Sequence, residues 1–266
     1  MTYTIITVNY NNKNGLETTI KSVLSQTCKD YEYIIIDGGS TDGSVDVIRK
    51  YADHIAYWVS EPDNGIYQAM NKGIAKAKGE YLNFMNSGDC FYHEHVLQQM
   101  QDKLDCDITE GSVYDSSTKQ FSYKSTSNPT MLFFYRGGLG HQACFIRREL
   151  LKETPYDENL RLASDWKFFV EKIIFDNCSY RFVDIPIVTF EGNGASTKNM
   201  SLYEKERQQL LEELFPPRIL SDFERFHDKE SPIIDLIPAF NKTKGLQRTI
   251  ILFAQIAIKF HNFLRR

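Results

Sequence analysis

The sequence has few cysteines and no long apolar run. Five cysteines are scattered over 266 residues, with no C-x-x-C pair and no Cys/His cluster of zinc-ligand spacing. This excludes a disulfide-stapled fold and a zinc module, and it favours reduced thiols in a cytoplasmic protein. No stretch of about 18 uninterrupted apolar residues occurs, so we expect no transmembrane helix. The N-terminus lacks a basic region and a cleavage site, and is typical of a first strand rather than a signal peptide.

An excess of positive charge is also missing. Lysine and arginine number 31 against 35 acidic residues, which gives a net charge of −4 and a pI near 5.9. A broad nucleic-acid-binding surface is therefore not expected. No G-x-G-x-x-G sequence follows the first predicted strand, which argues against a dinucleotide-dependent dehydrogenase.

Strand and helix patterns alternate through the first 90 residues. Strands are predicted at 4–9, 33–37, 55–60 and 81–85, with helices at about 16–24, 44–51 and 66–77. Such alternation predicts βαβ units and an α/β fold with a mostly parallel sheet. Further along, the pattern predicts short strands near 108–114, 120–123 and 143–146, a helix at 164–176, and a strand pair within 180–190. A helix from about 201 should end at Pro216 and Pro217.

Two predicted strands end in small-residue turns that carry a carboxylate. Asp37 follows three β-branched residues and precedes Gly38 and Gly39, and Asp89 closes a similar turn after the strand at 81–85. Ligands of open α/β sheets bind outside the carboxyl ends of the strands. Each aspartate alone is explained by local turn bonding. Two aspartates at one sheet edge suit a nucleotide sugar. One would bind the nucleoside, and the other would bind a metal ion on the diphosphate.

The chain resembles family 2 glycosyltransferases with the GT-A fold, especially bacterial enzymes of surface-polysaccharide synthesis. The segments that carry the resemblance occur in the family's order: ITVNYN at 6–11, DGGSTDG at 37–43, EPDNGIY at 61–67, NKG at 71–73, NSGD at 86–89, GHQ at 140–142 and SDW at 164–166. The resemblance implies a GT-A catalytic domain over 1–200, with a nucleotide-sugar-binding half at 1–90 and an acceptor half at 91–200. Residues 201–266 would form a helical extension.

The resemblance also implies roles for individual residues. Asp165 would be the general base, Asp89 would bind Mn²⁺ or Mg²⁺, and His141 would be a second metal ligand or an acceptor contact. The nucleotide-sugar donor would be held by Thr7, Asn9, Asp37, Gly39, Asp63, Asn71, Lys72 and Ser87. Some of these have structural interpretations as well: Asp63 could cap the helix that opens at Ile66, and Asp165 could be favoured by the helix dipole.

Three positions depart from the family pattern. Asp37 is followed by Gly38 where the family often has a second acidic residue. The turn at Asp89 keeps one acidic residue where many members have two or three, which predicts weaker metal binding. Met70 stands where many relatives have arginine, so Lys72 is the candidate for a contact with the diphosphate.

The implied reaction is an inverting, metal-dependent transfer of one sugar from a nucleotide sugar, expected to be UDP-linked. The acceptor would be a saccharide or a lipid-linked saccharide. A QxxRW-type sequence of processive synthases is absent, which favours single additions. Two alternatives stay open from the sequence: a nucleotidyltransferase of similar fold, and a non-catalytic nucleotide- or sugar-binding module.

The C-terminal residues predict an amphipathic basic helix at about 246–265. No acidic residue occurs from Lys242 to Arg266, and the polar residues fall on one narrow stripe of a largely apolar helix. Such a helix suits peripheral contact with the inner face of the cytoplasmic membrane. Packing on the catalytic domain or on a second subunit, as in a homodimer, is the alternative.

Overall fold

The computed structural model describes residues 1–121, 126–190 and 199–225, together with 249, 251–253 and 255. The described strands are β1 (Tyr3–Asn9), β2 (Tyr31–Asp37), β3 (Tyr57–Ser60), β4 (Tyr81–Phe84), β5 (Cys90–Phe91), β6 (Ile108–Asp115), β7 (Gln120–Phe121), β8 (Cys144–Arg147) and β9 (Tyr180–Phe190). The described helices are α1 (Lys13–Leu24), α2 (Ser44–Lys50), α3 (Ile66–Lys76), α4 (Val96–Met100), α5 (Met131–Arg136), α6 (Arg148–Glu153), α7 (Ser164–Phe169), α8 (Met200–Leu214) and α9 (Pro217–Glu224).

The described strands form one mixed sheet in the order β3-β2-β1-β4-β8-β6-β9-β5, with β7 paired to β6. β1 to β4 are parallel, as predicted, and β8 joins β4 in the antiparallel sense. β9 runs parallel to β6. The first four strands therefore bring their carboxyl ends to one edge, where ligands bind in sheets of this kind.

The core lies around the central strand. All seven residues of β1 are buried, because layers of structure cover both faces of the sheet there. The apolar face of α1, formed by Leu16, Ile20 and Val23, packs in the same cluster as Ile5 of β1 and Ile35 of β2. Their spacing of four and three residues places these side chains on one side of the helix.

The segment 180–190 differs from the prediction. It forms one eleven-residue strand, β9, rather than a strand pair. Pro186 interrupts the apolar pattern, and a proline is expected to break a strand. In the structure the ladder with β6 shifts register on both sides of Ser112, the partner of Pro186, and this irregularity accommodates the proline. The predicted helix at 164–176 also divides, into α7 and a π-helical segment, Val170–Phe175.

The chain divides into two compact units, Met1–Leu210 and Leu211–Arg266. The division lies within α8, ten residues beyond the predicted domain boundary. In the second unit, Phe215 and Phe223 pack edge to face with ring centroids 6.2 Å apart. Most of the predicted C-terminal helix lies outside the described residues. In the part of the chain that the structure describes, no helix is long and apolar enough to cross a membrane.

Candidate active site

Asp37 lies at the carboxyl edge of the sheet, between Asn9 of β1 and Ser60 of β3 in the strand register. Its side chain is fully buried. One carboxylate oxygen accepts hydrogen bonds from Asn9 Nδ2 (2.7 Å) and Ser40 Oγ (2.6 Å). The other accepts from the Ser40 backbone amide (2.9 Å) and Ser60 Oγ (2.6 Å). Four donors fill the hydrogen-bonding capacity of a carboxylate.

These contacts keep Asp37 ionised. Burial alone would raise the pKa of the carboxyl, but the hydrogen bonds from Ser40, Ser60 and Asn9 outweigh it and hold the pKa below its usual range. The turn that supplies Ser40 depends on Gly39, which has φ of +78° and whose Cβ, if present, would lie 3.2 Å from the Pro62 nitrogen. Glycine is the residue that adopts this backbone without cost.

Thr7 lies in β1, two residues before Asn9. Its side chain is fully buried, and its hydroxyl donates to the Met85 carbonyl (2.7 Å) and lies 2.9 Å from the Tyr33 hydroxyl. The side chain therefore joins the end of β1 to the residue that follows β4. Contact of Thr7 with the nucleotide sugar stays a prediction.

Asp63 follows β3 and lies beside the turn of Asp37, with Oδ2 placed 3.3 Å from where a Cβ of Gly38 would be. Its carboxylate pairs with the Lys72 ammonium, which also contacts Glu61 at 2.8 Å. It does not cap α3, because Gly65 occupies the N-cap position and no side chain bonds the helix start. Lys72 and Asp63 thus form a charged cluster at this edge, and their contact with a donor stays a prediction.

Asn71 faces a different part of the chain. Its amide donates to the Tyr156 carbonyl (2.8 Å) and Glu158 Oε1 (2.9 Å), and its oxygen accepts from the Tyr156 backbone amide (3.0 Å). These bonds fasten α3 to the segment that leads into α7. The predicted contact of Asn71 with the nucleotide sugar stays a prediction.

Asp165 lies in the first turn of α7, half-buried, and is held by a residue of α3. The buried Tyr67 hydroxyl donates to Asp165 Oδ1 at 2.8 Å. Burial and the neighbouring Asp165 carboxylate hold the pKa of Tyr67 well above its usual range, so the phenol remains a donor. Arg161, four residues before Asp165, donates to the Asn64 carbonyl, just before the start of α3. Asp165 is therefore tied to the structure that follows β3.

His141 is also buried. Nε2 lies 2.8 Å from the Tyr156 hydroxyl, and the ring stacks on Phe84 with centroids 5.0 Å apart. Burial lowers its pKa, with Asp165 opposing this, so the imidazole is neutral near pH 7. These contacts orient the ring and fix its place under Tyr156. The predicted roles as metal ligand or acceptor contact stay untested.

Ser87 and Asp89 form the turn after β4. The Ser87 carbonyl accepts from Asn12 Nδ2 at 3.0 Å, and the Asp89 carbonyl accepts from Thr19 Oγ1 at 2.7 Å. The turn is therefore fastened through its backbone to the start and middle of α1. The Asp89 side chain is half-buried.

The described residues suit a metal ion that binds together with a phosphate-bearing substrate. Within the described ranges, no three His, Cys, Asp or Glu side chains form a group that could hold a metal ion. Mg²⁺ and Mn²⁺ prefer about six oxygen ligands, and Mg²⁺ is commonly bound by one or two carboxylates together with substrate phosphates. Asp89 would supply one carboxylate, and the remaining ligands would have to come from phosphate and water.

Comparison with known proteins decides the family. The model of "Glycosyl transferase family 2" matches residues 4–156. An uncharacterized glycosyltransferase of Mycobacterium tuberculosis is 33% identical over 177 residues, which cover 64% of this chain and 68% of the relative. This chain is a family 2 glycosyltransferase. A putative teichuronic acid biosynthesis glycosyltransferase of Bacillus subtilis is 33% identical over 102 residues, 36% of this chain and 40% of the relative.

Solved structures show that this glycosyltransferase has the predicted GT-A fold. S. aureus TarS 1-349 in complex with UDP-GlcNAc matches with a TM-score of 0.63 and 18% identity, covering 78% of this chain and 65% of that one. A mannosyltransferase from Pyrobaculum calidifontis, in complex with GDP-Man and Mn²⁺, matches with a TM-score of 0.62 and 15% identity, covering 96% and 80%. The chain spans 45% of the longer S. aureus TarS chain.

Family membership decides between the alternatives left open by the sequence, because it identifies an enzyme that transfers sugars.

The structure shows three residues near the predicted site that sequence reasoning missed. Tyr67 and Arg161 hold the Asp165 region against α3, and Tyr156 links His141 to Asn71. Tyr67 stands inside the matched segment EPDNGIY, and this was the available signal.

Proposed function

We propose that this glycosyltransferase moves one sugar from a nucleotide sugar, preferably UDP-linked, to a hydroxyl of a saccharide or lipid-linked saccharide. Nucleotide-sugar complexes of two enzymes of this fold support the donor class. The relative named for teichuronic acid synthesis supports a surface polysaccharide as the destination. Transfer is proposed to proceed with inversion of the anomeric configuration.

The hydrogen bond between Tyr67 and Asp165 Oδ1 is the observation that carries the proposal. It holds one oxygen of the carboxylate, and we assign the other to an acceptor hydroxyl. In a single displacement, Asp165 takes the hydroxyl proton while the acceptor oxygen bonds to the anomeric carbon. The bond from that carbon to the phosphate oxygen breaks, and the nucleoside diphosphate leaves.

General-base catalysis contributes about 10²–10⁴-fold, whereas enzymes lower barriers by about 8–23 kcal/mol. Positioning of the two substrates must therefore supply much of the rate. On the donor side we assign the nucleoside to Asn9, Asp37, Gly39 and Asp63. Because Asp37 already has four donors, nucleoside binding would exchange hydrogen bonds with Ser40 or Ser60 rather than fill open positions.

We assign Mn²⁺ or Mg²⁺ to Asp89, together with phosphate oxygens of the donor. When bound, the cation would neutralise charge on the leaving diphosphate. Ser87, in the same turn, and Lys72 are the proposed contacts for the diphosphate itself. For Lys72 this requires that its ammonium exchange Glu61 or Asp63 for a phosphate oxygen.

The donor assignment is tested by incubating the enzyme with UDP-GlcNAc, UDP-glucose or GDP-mannose and Mn²⁺. We expect slow release of nucleoside diphosphate from one of these donors. Release should fall at least about tenfold when the metal is chelated or in Asp89→Ala, because Asp89 supplies the protein's carboxylate to the cation. Asp102→Ala, at an exposed aspartate, is the matched control. Metal-independent release would refute the metal assignment. Absence of release, with no thermal stabilisation by UDP or GDP, would refute the donor class.

We further propose that the C-terminal helix rests on an anionic membrane surface. Three of its described residues, Ile251, Leu252 and Phe253, are apolar and 49–68% exposed. The full chain is expected to float with phosphatidylglycerol-containing vesicles, whereas a chain that ends at Lys244 should remain unbound. Equal flotation of the two, or concentration-dependent dimerisation of the full chain alone, would favour a protein partner instead.

A further inference from the structure

Glu206 of α8 binds the turn that leads into α7. The side chain is buried, although glutamate is rarely found inside a protein without partners. One carboxylate oxygen accepts from the Arg161 backbone amide (2.7 Å). The other accepts from the amides of Leu162 (2.8 Å) and Ala163 (3.0 Å). Three consecutive amides thus converge on one carboxylate, two residues before Asp165.

Arg207, the next residue, binds the C-terminal end of α5. It is also buried, and Nη2 donates to the carbonyls of Phe134 (3.1 Å) and Tyr135 (2.9 Å) in the last turn of α5. Its guanidinium carbon lies 5.4 Å from the centroid of the Trp166 ring. The indole of Trp166 in turn donates to the Gly137 carbonyl at 2.8 Å. The glycine segment 137–140 is thereby joined to α7.

The charges of the two residues suit the helix ends that they contact. An anion is favoured at a helix N-terminus, where amides are unpaired, and a cation at a C-terminus, where carbonyls are unpaired. Glu206 accepts from the amide of Ala163, the N-cap residue of α7, and from the two amides before it, and Arg207 donates to carbonyls at the C-terminal end of α5. Because they are adjacent on one helix, they hold the two ends in a single arrangement.

We propose that the Glu206–Arg207 pair of α8 is a positioning element, which sets Asp165 and the glycine segment 137–140 for reaction with the acceptor. The proposal rests on the proposed role of Asp165 as the base. Tyr67 holds the Asp165 carboxylate from the side of α3, and Glu206 holds the turn at 161–163, which ends two residues before Asp165, from the side of α8. Losing Glu206 would remove the three hydrogen bonds that hold this turn to α8 and leave the Tyr67 contact in place.

Displacement of a reacting group by about 1 Å can cost about 10²-fold in rate. Glu206→Gln keeps the size of the side chain but turns one amide group towards backbone amides, so donors face donors. We expect kcat for donor hydrolysis to fall about 30–100-fold. KM for the donor and the Kd for UDP should stay within about threefold, since the donor-side residues Asp37, Asp63 and Lys72 are untouched. Glu206→Asp, which keeps the charge, should retain more activity than Glu206→Gln.

Glu213→Gln, at an exposed glutamate of the same helix, is the matched control and should behave like the wild type. Amide exchange gives a readout that needs no turnover: in Glu206→Gln it should accelerate at 161–163 but not at Gly38. Should Glu206→Gln fail to fold, Arg207→Lys replaces it, with the same loss confined to kcat expected.

Unchanged kcat in the folded variant, unchanged exchange at 161–163, or a parallel loss of kcat and UDP binding would overturn the proposal. Asp165→Asn, measured alongside, separates this from failure of the proposed function. If Asp165→Asn turns over normally, the base assignment fails. If only Asp165→Asn loses activity, the base stands and the positioning role falls.

Discussion

Replacing Asp165 by asparagine is expected to lower kcat about 10²–10⁴-fold while UDP binding changes less than about twofold. Asparagine keeps the size of the side chain and can still accept the hydrogen bond from Tyr67. It cannot take a proton from an acceptor hydroxyl, so the loss should appear in the chemical step. Steady-state kinetics with the best donor, together with calorimetric titration of UDP, measures both quantities.

The control for this substitution is Asp184→Asn, at an exposed aspartate of β9, which should leave the kinetics unchanged. Tyr67→Phe removes only the hydroxyl that orients Asp165, so its kcat should lie between those of Asp165→Asn and the wild type. An Asp165→Asn enzyme with wild-type turnover would show that another group takes the proton.

Replacing Asp37 by asparagine is expected to lower the free energy of unfolding by about 3 kcal/mol at pH 7, because hydrogen bonds to a buried charge are strong and an unmatched donor is costly. Each carboxylate oxygen accepts from a nitrogen, one from Asn9 Nδ2 and the other from the Ser40 amide. Either orientation of an asparagine amide would turn its NH₂ towards one of these nitrogens. Urea unfolding followed by circular dichroism measures the loss.

The stability difference should depend on pH. The folded-state pKa of Asp37 is depressed, so its contribution is fully present above the unfolded value of about 3.9 and is lost as pH falls through the folded value. The stability difference between the wild type and Asp37→Asn should therefore begin to narrow below about pH 3.9 and keep narrowing as pH falls through the lower folded-state pKa. Asp53→Asn, at an exposed position, should show neither effect. A difference that persists unchanged at low pH would mean that the charge of Asp37 is not its source.

The sequence was sufficient to predict the parallel half of the sheet. Strands β1 to β4 carry mostly apolar or β-branched residues bounded by polar turns, and their observed bounds lie within two residues of those predicted. The long β9 could not be predicted in the same way. Its pairing with β6 absorbs Pro186 through a register shift, which depends on a partner strand about 70 residues away.

In the candidate site, too, some residues follow from local sequence pattern and others depend on tertiary packing. Asp37, Asp63 and Asp89 follow strands, so local pattern placed them at one sheet edge. The contacts around Asp165 come from far away in the sequence: Tyr67, which bonds Asp165, is 98 residues away, and Glu206 bonds the Arg161 amide from 45 residues away. No local pattern shows which buried hydroxyl or carboxylate will meet a given turn, since that depends on how α3 and α8 pack.

The place of Glu206 and Arg207 bears on how such enzymes could be recombined. A chimaera that exchanges C-terminal extensions between relatives would join two chains at a domain boundary. A junction at residue 200 would import a foreign α8 and separate Asp165 from the carboxylate that holds its turn. A junction after Leu210, where the first compact unit ends, keeps both residues with the helices they contact. The extension would then vary while Glu206 and Arg207 stay in place.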